Sequence, residues 1–500
     1  MIGAGSDTVH SMRMLKWVAY LLARYPEYAT RMQQQIDAVV PRDRMEAFVN
    51  ASRTKWGART FVVFADYDLI KKAFQHPDLQ GRPDFFSFKL MQKFGRRGVG
   101  FTDGAVWSEN RRFVLRQLRS LGMGKTVLEE SIQKEASLLV GHLERTCLDK
   151  PAVMDCAINT SVVNVIWQMF ASTRYEVGDS EITKYCEDVN VLFDIIQKRL
   201  FFLDIFPVLT NVLPKFILNM FVDVKLAERC LENLTKMSED KIREHLASLD
   251  PGNPRDVIDH YLLEKPDRDP TGYLKEYDAD QLYGMMIENF LGGSETTSST
   301  LRWMILLLSI YPDVGAPCDV ALPLVTVQAK AQRCLDEVVP LTRLPCLADK
   351  SRLEYVDAML LDVLRLSSLV PTSLIHSATA DVVFEGYNIP KGTCLLVCSE
   401  LCQKKKSFWQ KPDHLYPEHF LDENGKLDGK KENFLPFSIG RRQCLGESLA
   451  RMELFLFATA ILQRFKIEAP EGVTLQPKTD PFSTILNLPD KFEVVLRKRI

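Results

Sequence analysis

Residues 433–451 read NFLPFSIGRRQCLGESLAR, with one cysteine, Cys444, between Gly440 and Gly446 and directly after Arg441, Arg442 and Gln443. A helical pattern carrying Glu447, Ala450 and Met452 starts just beyond it. The chemistry such a segment supports is a held thiolate. Cations and a following helix N-terminus lower a thiol pKa. The glycines let backbone approach a flat ligand and turn N–H groups toward sulfur, and Phe437 can cover the sulfur from water. A lone cysteine is most often a buried structural one. Here F-x-x-G-x-R-x-C-x-G is met in full by Phe437, Gly440, Arg442, Cys444 and Gly446, which sets it apart.

A second segment, residues 288–303 (ENFLGGSETTSSTLRW), lies inside a long helical pattern. Gly292 and Gly293 are poor helix formers at its middle. They remove side chains where a flat cofactor or dioxygen could approach. Glu295 and Thr296 follow, an acid and an alcohol that can relay protons. The plainer alternative is a kinked helix with a solvated carboxylate. Trp107 and Arg111 are spaced one helical turn apart, and His376 lies in PTSLIHSATAD. Each alone is more often a core or surface residue.

The elements that must position these groups are mainly helical. Helical patterns cover residues 66–74, 105–120, 126–147, 154–172, 180–199, 224–249, 280–311, 328–338 and 353–366. Strand patterns are short: 59–64, 382–384, 393–398, 466–468 and 492–497. The pair at 382–398 is joined through Gly386, Pro390 and Gly392 as turn residues. No linker rich in Gly, Ser or Pro marks a boundary beyond residue 45, so the expectation is one large helical domain with small sheets at its edge.

Composition narrows the function classes. The 500 residues are 46% hydrophobic and 26% charged, the balance of a globular chain with a large core. Lys+Arg at 63 against Asp+Glu at 65 gives a net charge of −2, which excludes a nucleic-acid binder working by net charge. Eleven cysteines in 500 residues is an odd count and no disulfide framework, so reduced thiols in an intracellular protein are expected. No segment passes the test for a membrane span. Residues 156–173 are uncharged but carry Asn159, Thr160, Ser161, Asn164 and Gln168, and read as a buried helix. Residues 200–222 are interrupted by Asp204, Pro207, Pro214 and Lys215, and can lie on a membrane surface. No signal peptide is read at the start.

The start of the chain repeats part of its middle. Gly5-Ser6-Asp7-Thr8 matches Gly293-Ser294-Glu295-Thr296, Leu15-Lys16-Trp17 matches Leu301-Arg302-Trp303, and Tyr25-Pro26-Glu27 matches Tyr311-Pro312-Asp313. Val39-Val40-Pro41 then matches Val338-Val339-Pro340, with thirteen extra residues in the second copy, near 315–327. One partial repeat is no solenoid. Residues 1–44 are read as a remnant of a related copy and 315–327 as an insertion whose Pro317 and Pro323 interrupt helix. Both are expected to be exposed.

The Cys444 segment resembles the haem-binding loop of the cytochrome P-450 monooxygenases, and the resemblance extends over nearly all of residues 45–500. It implies a mainly α fold with small β-sheets (α+β), as a single large haem domain. It implies heme b with Cys444 as axial thiolate on the iron, which favours O–O cleavage. GGSETT resembles the family's [A/G]-G-x-[D/E]-T-[T/S], which places Glu295 and Thr296 beside the distal haem face. By motif position, Trp107, Arg111, His376 and Arg442 are haem-propionate donors. NPRDVID at 253–259, Arg82-Pro83-Asp84 and GFTDGAVWSENRRF resemble the animal microsomal branch called clan 2. Such relatives begin with a membrane helix, a Pro-rich hinge and a first sheet strand, and none of these is expected before Thr54.

Two departures stand out. The family's E-x-x-R is Asp362-Val-Leu-Arg365 here, and its P-E-R-F is Pro417-Glu418-His419-Phe420. His419 has precedent in similar proteins. Asp is one methylene shorter than Glu, and breaking a buried pair costs about 3–5 kcal/mol, so the haem loop is expected to suffer.

The resemblance implies a monooxygenase that draws electrons from NADPH through cytochrome P-450 reductase, with cytochrome b5 as a further donor. It would activate O2 and oxidise a lipophilic substrate of steroid, fatty-acid or xenobiotic type. Residues 97–102, 193–206, 286–294, 369–374 and 483–487 would form the apolar substrate side. The implied location is the cytoplasmic face of the endoplasmic reticulum membrane, with peripheral membrane contact. Arg112, Arg116 and Arg119 share a helix face that is either a solvated stripe or a docking face for the reductase. The alternatives are a haem-thiolate isomerase or dehydratase, which has no need of the Glu295–Thr296 relay, and a non-catalytic damaged copy.

Overall fold

The computed structural model describes residues 51–499, apart from 57, 93–96, 121–125, 197–199, 213–217, 220–222, 269–274, 311–325 and 480–484. The repeat copy at 1–44 and most of the inserted stretch lie outside the described residues. Of the insertion, Thr326 and Val327 are described, and they are not loop. Thr326 caps a helix by accepting the Ala329 N–H, and Val327 is buried as that helix's first residue.

The long helices are α1 (Tyr67–Gln75), α2 (Gly104–Ser120), α3 (Thr126–Thr146), α4 (Asp155–Ala171), α5 (Ser180–Ile195), α6 (Val224–Ser248), α7 (Val257–Arg268), α8 (Lys275–Ile310), α9 (Val327–Val338), α10 (Glu354–Ser367) and α11 (Glu447–Arg464). Most start within one or two residues of the periodic pattern; α7 was not foreseen. Helix α4 is buried on nearly every side, polar residues included, and is therefore a core helix. Val162, Val163, Val165, Ile166, Trp167 and Phe170 are buried round its circumference. It packs along α8, while α10 and α11 close the core from the other side.

The largest sheet has the order β1-β2-β7-β4, with β1 at Ala51–Trp56, β2 at Arg59–Phe64, β4 at His376–Ser377 and β7 at Cys394–Val397. Strands β1 and β2 form a hairpin closed at the Trp56–Arg59 pair. This corrects the expectation that no first sheet strand precedes Thr54. A second sheet joins β3 (Pro151–Ala152), β9 (Val494–Lys498) and β8 (Phe465–Glu468). The expected pairing across 382–398 is also corrected. β5 (Val382–Phe384) turns back at once on β6 (Tyr387–Ile389), because Glu385 and Gly386 take φ of 48° and 83°, the two left-handed positions of a tight hairpin turn. β7 is thereby free to pair with β2 and β4.

The Asp362 departure does not break its network. Asp362 and Arg365 on α10 are both fully buried, 2.6 Å apart. Asp362 also binds His419 Nδ1 at 2.9 Å and the Tyr416 N–H at 2.5 Å. Arg365 donates further to the carbonyls of Gln403, Pro412 and His414 at 3.2, 2.7 and 2.9 Å. The shorter acid is met by partners that come to it, so no charge in the group is left unpaired.

Candidate active site

A cavity of about 1170 Å³ lies between α8 and the Cys444 loop. Gly292, Gly293, Thr296, Thr297 and Thr300 line it from α8; Phe437, Cys444 and Leu445 line the opposite wall. Phe85, Phe88, Phe101 and Phe201 form an aromatic cluster on its wall, with contacting rings 4.8–6.4 Å apart between centroids.

Cys444 is reachable from this cavity although it sits deep in the protein. Its N–H donates to the Phe437 carbonyl at 3.0 Å. The N–H groups of Gly446 and Glu447, at the start of α11, point at the sulfur. Burial pushes the thiol up, and this outweighs the two N–H groups and the Arg111 guanidinium, which pull it down. The loop by itself therefore leaves the thiol raised, against the expectation of a lowered thiol pKa. The two arginines before Cys444 do not supply the cation. Arg442 lies 4.0 Å from the Trp107 ring centroid and donates to the carbonyls of Gln80 and Val99. Arg441 is exposed. The cation beside the sulfur is Arg111, which also donates to the Gln443 carbonyl at 2.8 Å and so ties α2 to the loop.

The glycines divide their tasks differently from the sequence reading. A Cβ on Gly293 would lie 2.5 Å from Ile166 Cδ1, so this glycine serves the close approach of α4 to α8. Gly292 has nothing within 4 Å of such a Cβ and opens to the cavity. Gly440 is needed against Phe74 of α1 rather than against a ligand.

Thr296 faces the cavity, its hydroxyl donating to the Gly292 carbonyl at 2.6 Å. Glu295 does not line the cavity. It turns away, accepts from Ser299 Oγ at 2.8 Å and lies 3.9 Å from Arg302. The acid and alcohol are thus adjacent in sequence but on different sides of α8.

His376 is buried and lines the cavity, its ring stacked on Phe74 at 4.2 Å. Its Nδ1 faces the Leu79 carbonyl at 3.2 Å, which can only accept, so Nδ1 carries the proton. Burial and the guanidinium groups of Arg82 and Arg442 hold its pKa well below the usual histidine range.

Four cavity residues escaped sequence reasoning as site residues. Arg82 donates to the carbonyls of Gly100 and Ile375 at 2.7 and 3.1 Å. Glu288 accepts the N–H groups of Val99, Gly100 and Phe101, and burial pushes its carboxyl up to about 7. Asp204 accepts the N–H and hydroxyl of Ser87 at 2.9 and 2.5 Å, and burial pushes it up to about 6. Glu453 on α11 is buried against Thr297, with no hydrogen-bond partner for Oε1 among the described residues. Arg82-Pro83-Asp84 and the spacing of Glu288 one turn before Gly292 were visible signals; Asp204 and Glu453 had none.

A family model described as cytochrome P450 matches residues 45–496. Cytochrome P450 2L1 of Panulirus argus is 37% identical over 97% of this chain and 94% of its own length, an alignment that reaches into the first 44 residues. Cytochrome P450 2F5 of Gorilla gorilla gorilla is 37% identical over 89% of this chain and 86% of its own. Cytochrome P450 2C13, male-specific, of Rattus norvegicus is 35% identical over 86% and 84%.

Proposed function

This chain belongs to the cytochrome P450 family, of the clan 2 type, as a haem-thiolate monooxygenase that uses O2, a redox partner and a small-molecule substrate, and from that premise we propose that Cys444 is the iron ligand and that the substrate is lipophilic. The observation that carries this is the cavity, with a reachable thiol on one wall and Gly292 and Thr296 on the other.

The residues present fit a haem. Cys444 lines the cavity, and its sulfur already receives two backbone N–H groups, the donors a thiolate needs. A metal ion takes the place of the thiol proton, which offsets the burial that keeps the free thiol protonated. Arg111, Arg442, Trp107 and His376 all line the same cavity as cationic or N–H-bearing side chains, suited to propionates. His376 becomes a second donor through Nε2 only when an anion offsets Arg82 and Arg442. Phe437 lies on the sulfur's wall, with Arg451 5.2 Å from its ring centroid. Bound haem supplies the activation of dioxygen; Thr296 is the hydroxyl placed to hold a proton at the cavity, and Glu295 the acid behind it.

Electrons are proposed to come from NADPH through the flavoprotein cytochrome P-450 reductase, with cytochrome b5 as a further donor. Helix α2 is bound to the Cys444 loop by Arg111, and Arg112, Arg116 and Arg119 are exposed on it. Arg116 is engaged by Glu264 at 2.5 Å, so the docking charges to test are Arg112 and Arg119. No helix among the described residues is long and apolar enough to cross a membrane. Peripheral contact with the cytoplasmic face of the endoplasmic reticulum is supported by the exposed Phe206 and Val208. Residues 1–44 are proposed to be a partial repeat outside the haem domain.

The deciding experiment is the carbon-monoxide difference spectrum of the reduced protein, in wild type and Cys444→Ala. Retention of the thiolate band in the variant rejects Cys444. NADPH oxidation with reductase, against a medium-chain fatty acid, a steroid and an alkoxyarene, then tests the substrate class.

A further inference from the structure

Three walls of the cavity come from separate parts of the sequence. Thr296, Thr297 and Thr300 line it from α8, residues 369–376 from the stretch that follows α10, and Ile485 with Leu486 from near the end of the chain. Behind the cavity these walls meet at Asn487, which does not line it and is 2% exposed. The backbone N–H of Asn487 donates to the Leu369 carbonyl at 2.7 Å. Its side-chain amide donates to the carbonyls of Ser368 and Ser367 at 2.8 and 3.3 Å. Its own carbonyl accepts the indole N–H of Trp303, which is buried on α8 about two helical turns beyond Thr296, at 2.7 Å.

The end of α10 explains why an asparagine stands here. A helix terminus leaves carbonyls with no partner inside the helix. Helix α10 stops at Ser367, and Ser368 turns the chain away with φ at 41°. The carbonyls of Ser367, Ser368 and Leu369 are thus three consecutive acceptors in a buried place. Taking all three requires three N–H hydrogens, and Asn487 brings one from its backbone and two from its amide. These hydrogens also meet the negative end of the α10 dipole. The loop that carries Ile485 and Leu486 is closed at its base by the Thr479–Pro489 bridge and by the Asp490 N–H on the Lys478 carbonyl at 3.0 Å. Asn487 fastens the inner arm of that loop to α10 and α8.

We propose that Asn487 is a positioning residue for substrate fit: it holds Ile485 and Leu486 in register with residues 369–376 and with α8, and so shapes the cavity around the apolar body of a lipophilic substrate. This rests on the reading of the cavity as the haem and substrate site. Trp303 acts through Asn487 from the α8 side. Neither residue touches the substrate.

The test uses holoenzyme with imidazole and 1-octylimidazole, each followed by its optical difference spectrum. The two ligands share the ring, and the second adds an apolar chain that must lie against the walls. Asn487→Asp keeps the size of the side chain but sets a carboxylate against the Ser367 and Ser368 carbonyls. It should weaken 1-octylimidazole about tenfold, the cost of ordering a released Ile485–Leu486 wall on binding, and leave imidazole nearly unchanged. Trp303→Phe removes one donor and keeps a ring in place, so it should show the same selective loss at smaller size. The double variant should bind 1-octylimidazole no more weakly than Asn487→Asp alone, because both changes act through one wall. Leu486→Ala, which trims the wall directly, should also weaken 1-octylimidazole and spare imidazole. Should Asn487→Asp fail to retain haem, Trp303→Phe and Leu486→Ala carry the comparison. Equal losses for both ligands, additive losses in the double variant, or unchanged binding of 1-octylimidazole overturn the proposal. If imidazole gives no spectral change with the wild type, the reading of the cavity as the haem site fails and this proposal with it.

Discussion

Gly440 in the Cys444 loop lies directly against the carbonyl of Phe74 on α1, with φ at +82°, and a Cβ there would come within 2.9 Å of the Phe74 carbonyl carbon. The loop that holds the sulfur is therefore seated on backbone from a helix far away in sequence. Gly440→Ala meets both the left-handed strain, about 1–3 kcal/mol, and that overlap. It should lower thermal stability by at least this amount and reduce haem content on purification. A variant with unchanged melting temperature and haem content would show that the loop can shift away from α1.

The two neighbouring glycines of α8 should separate. Gly293→Ala pushes the Ile166 Cδ1 end aside but gains helix propensity of about 1 kcal/mol, so its melting temperature should change little. Ile166→Val in the same chain should remove any remaining cost. Gly292→Ala should leave stability intact and instead weaken binding of imidazole, followed by its optical difference spectrum, because its methyl enters the cavity.

Asp362 should prove to be a fitted residue rather than a defect. Asp362→Ala leaves Arg365 buried without its counter-charge and should cost about 3–5 kcal/mol in denaturant unfolding. Asp362→Glu restores the family's usual residue yet adds a methylene to a group with no space, and should cost about 1–3 kcal/mol. A gain in stability from Glu would mean that the network with His419 and Tyr416 is strained.

His245 gives a pH dependence with a defined sign. Burial alone pushes its imidazolium down, but the hydrogen bond and charge of Asp256 and the Lys241 carbonyl raise it above the usual value. Both ring nitrogens face acceptors, at 2.7 Å each, which only the protonated ring satisfies. A raised folded-state pKa contributes stability that is fully present below about pH 6.5, the unfolded value, and lost as pH rises through the folded value. His245→Gln should flatten the fall in melting temperature above that point. The nearby Arg255–Asp259 pair, at 2.6 Å, should not contribute to the slope.

What the sequence determined by itself was local. The spacing around Cys444 placed the sulfur at the start of a helix, because that relation needs only a few consecutive residues. The periodicity placed most long helices, and the uncharged run at 156–173 marked a buried helix, because the lack of charge on any face is written in the run itself. Tertiary structure alone decided what each polar or small side chain faces. Gly293 and Gly440 look like room for a ligand in sequence, yet they are spent on Ile166 and Phe74. Glu295 and Thr296 are consecutive, yet the roughly 100° turn per residue of a helix sends one to Arg302 and the other to the cavity. Arg82, Asp204 and Glu288 meet at the cavity from three separate stretches of chain, and a shortened Asp362 is completed by residues 54 and 57 positions away. Those pairings are set by packing between distant segments, and no local pattern carries them.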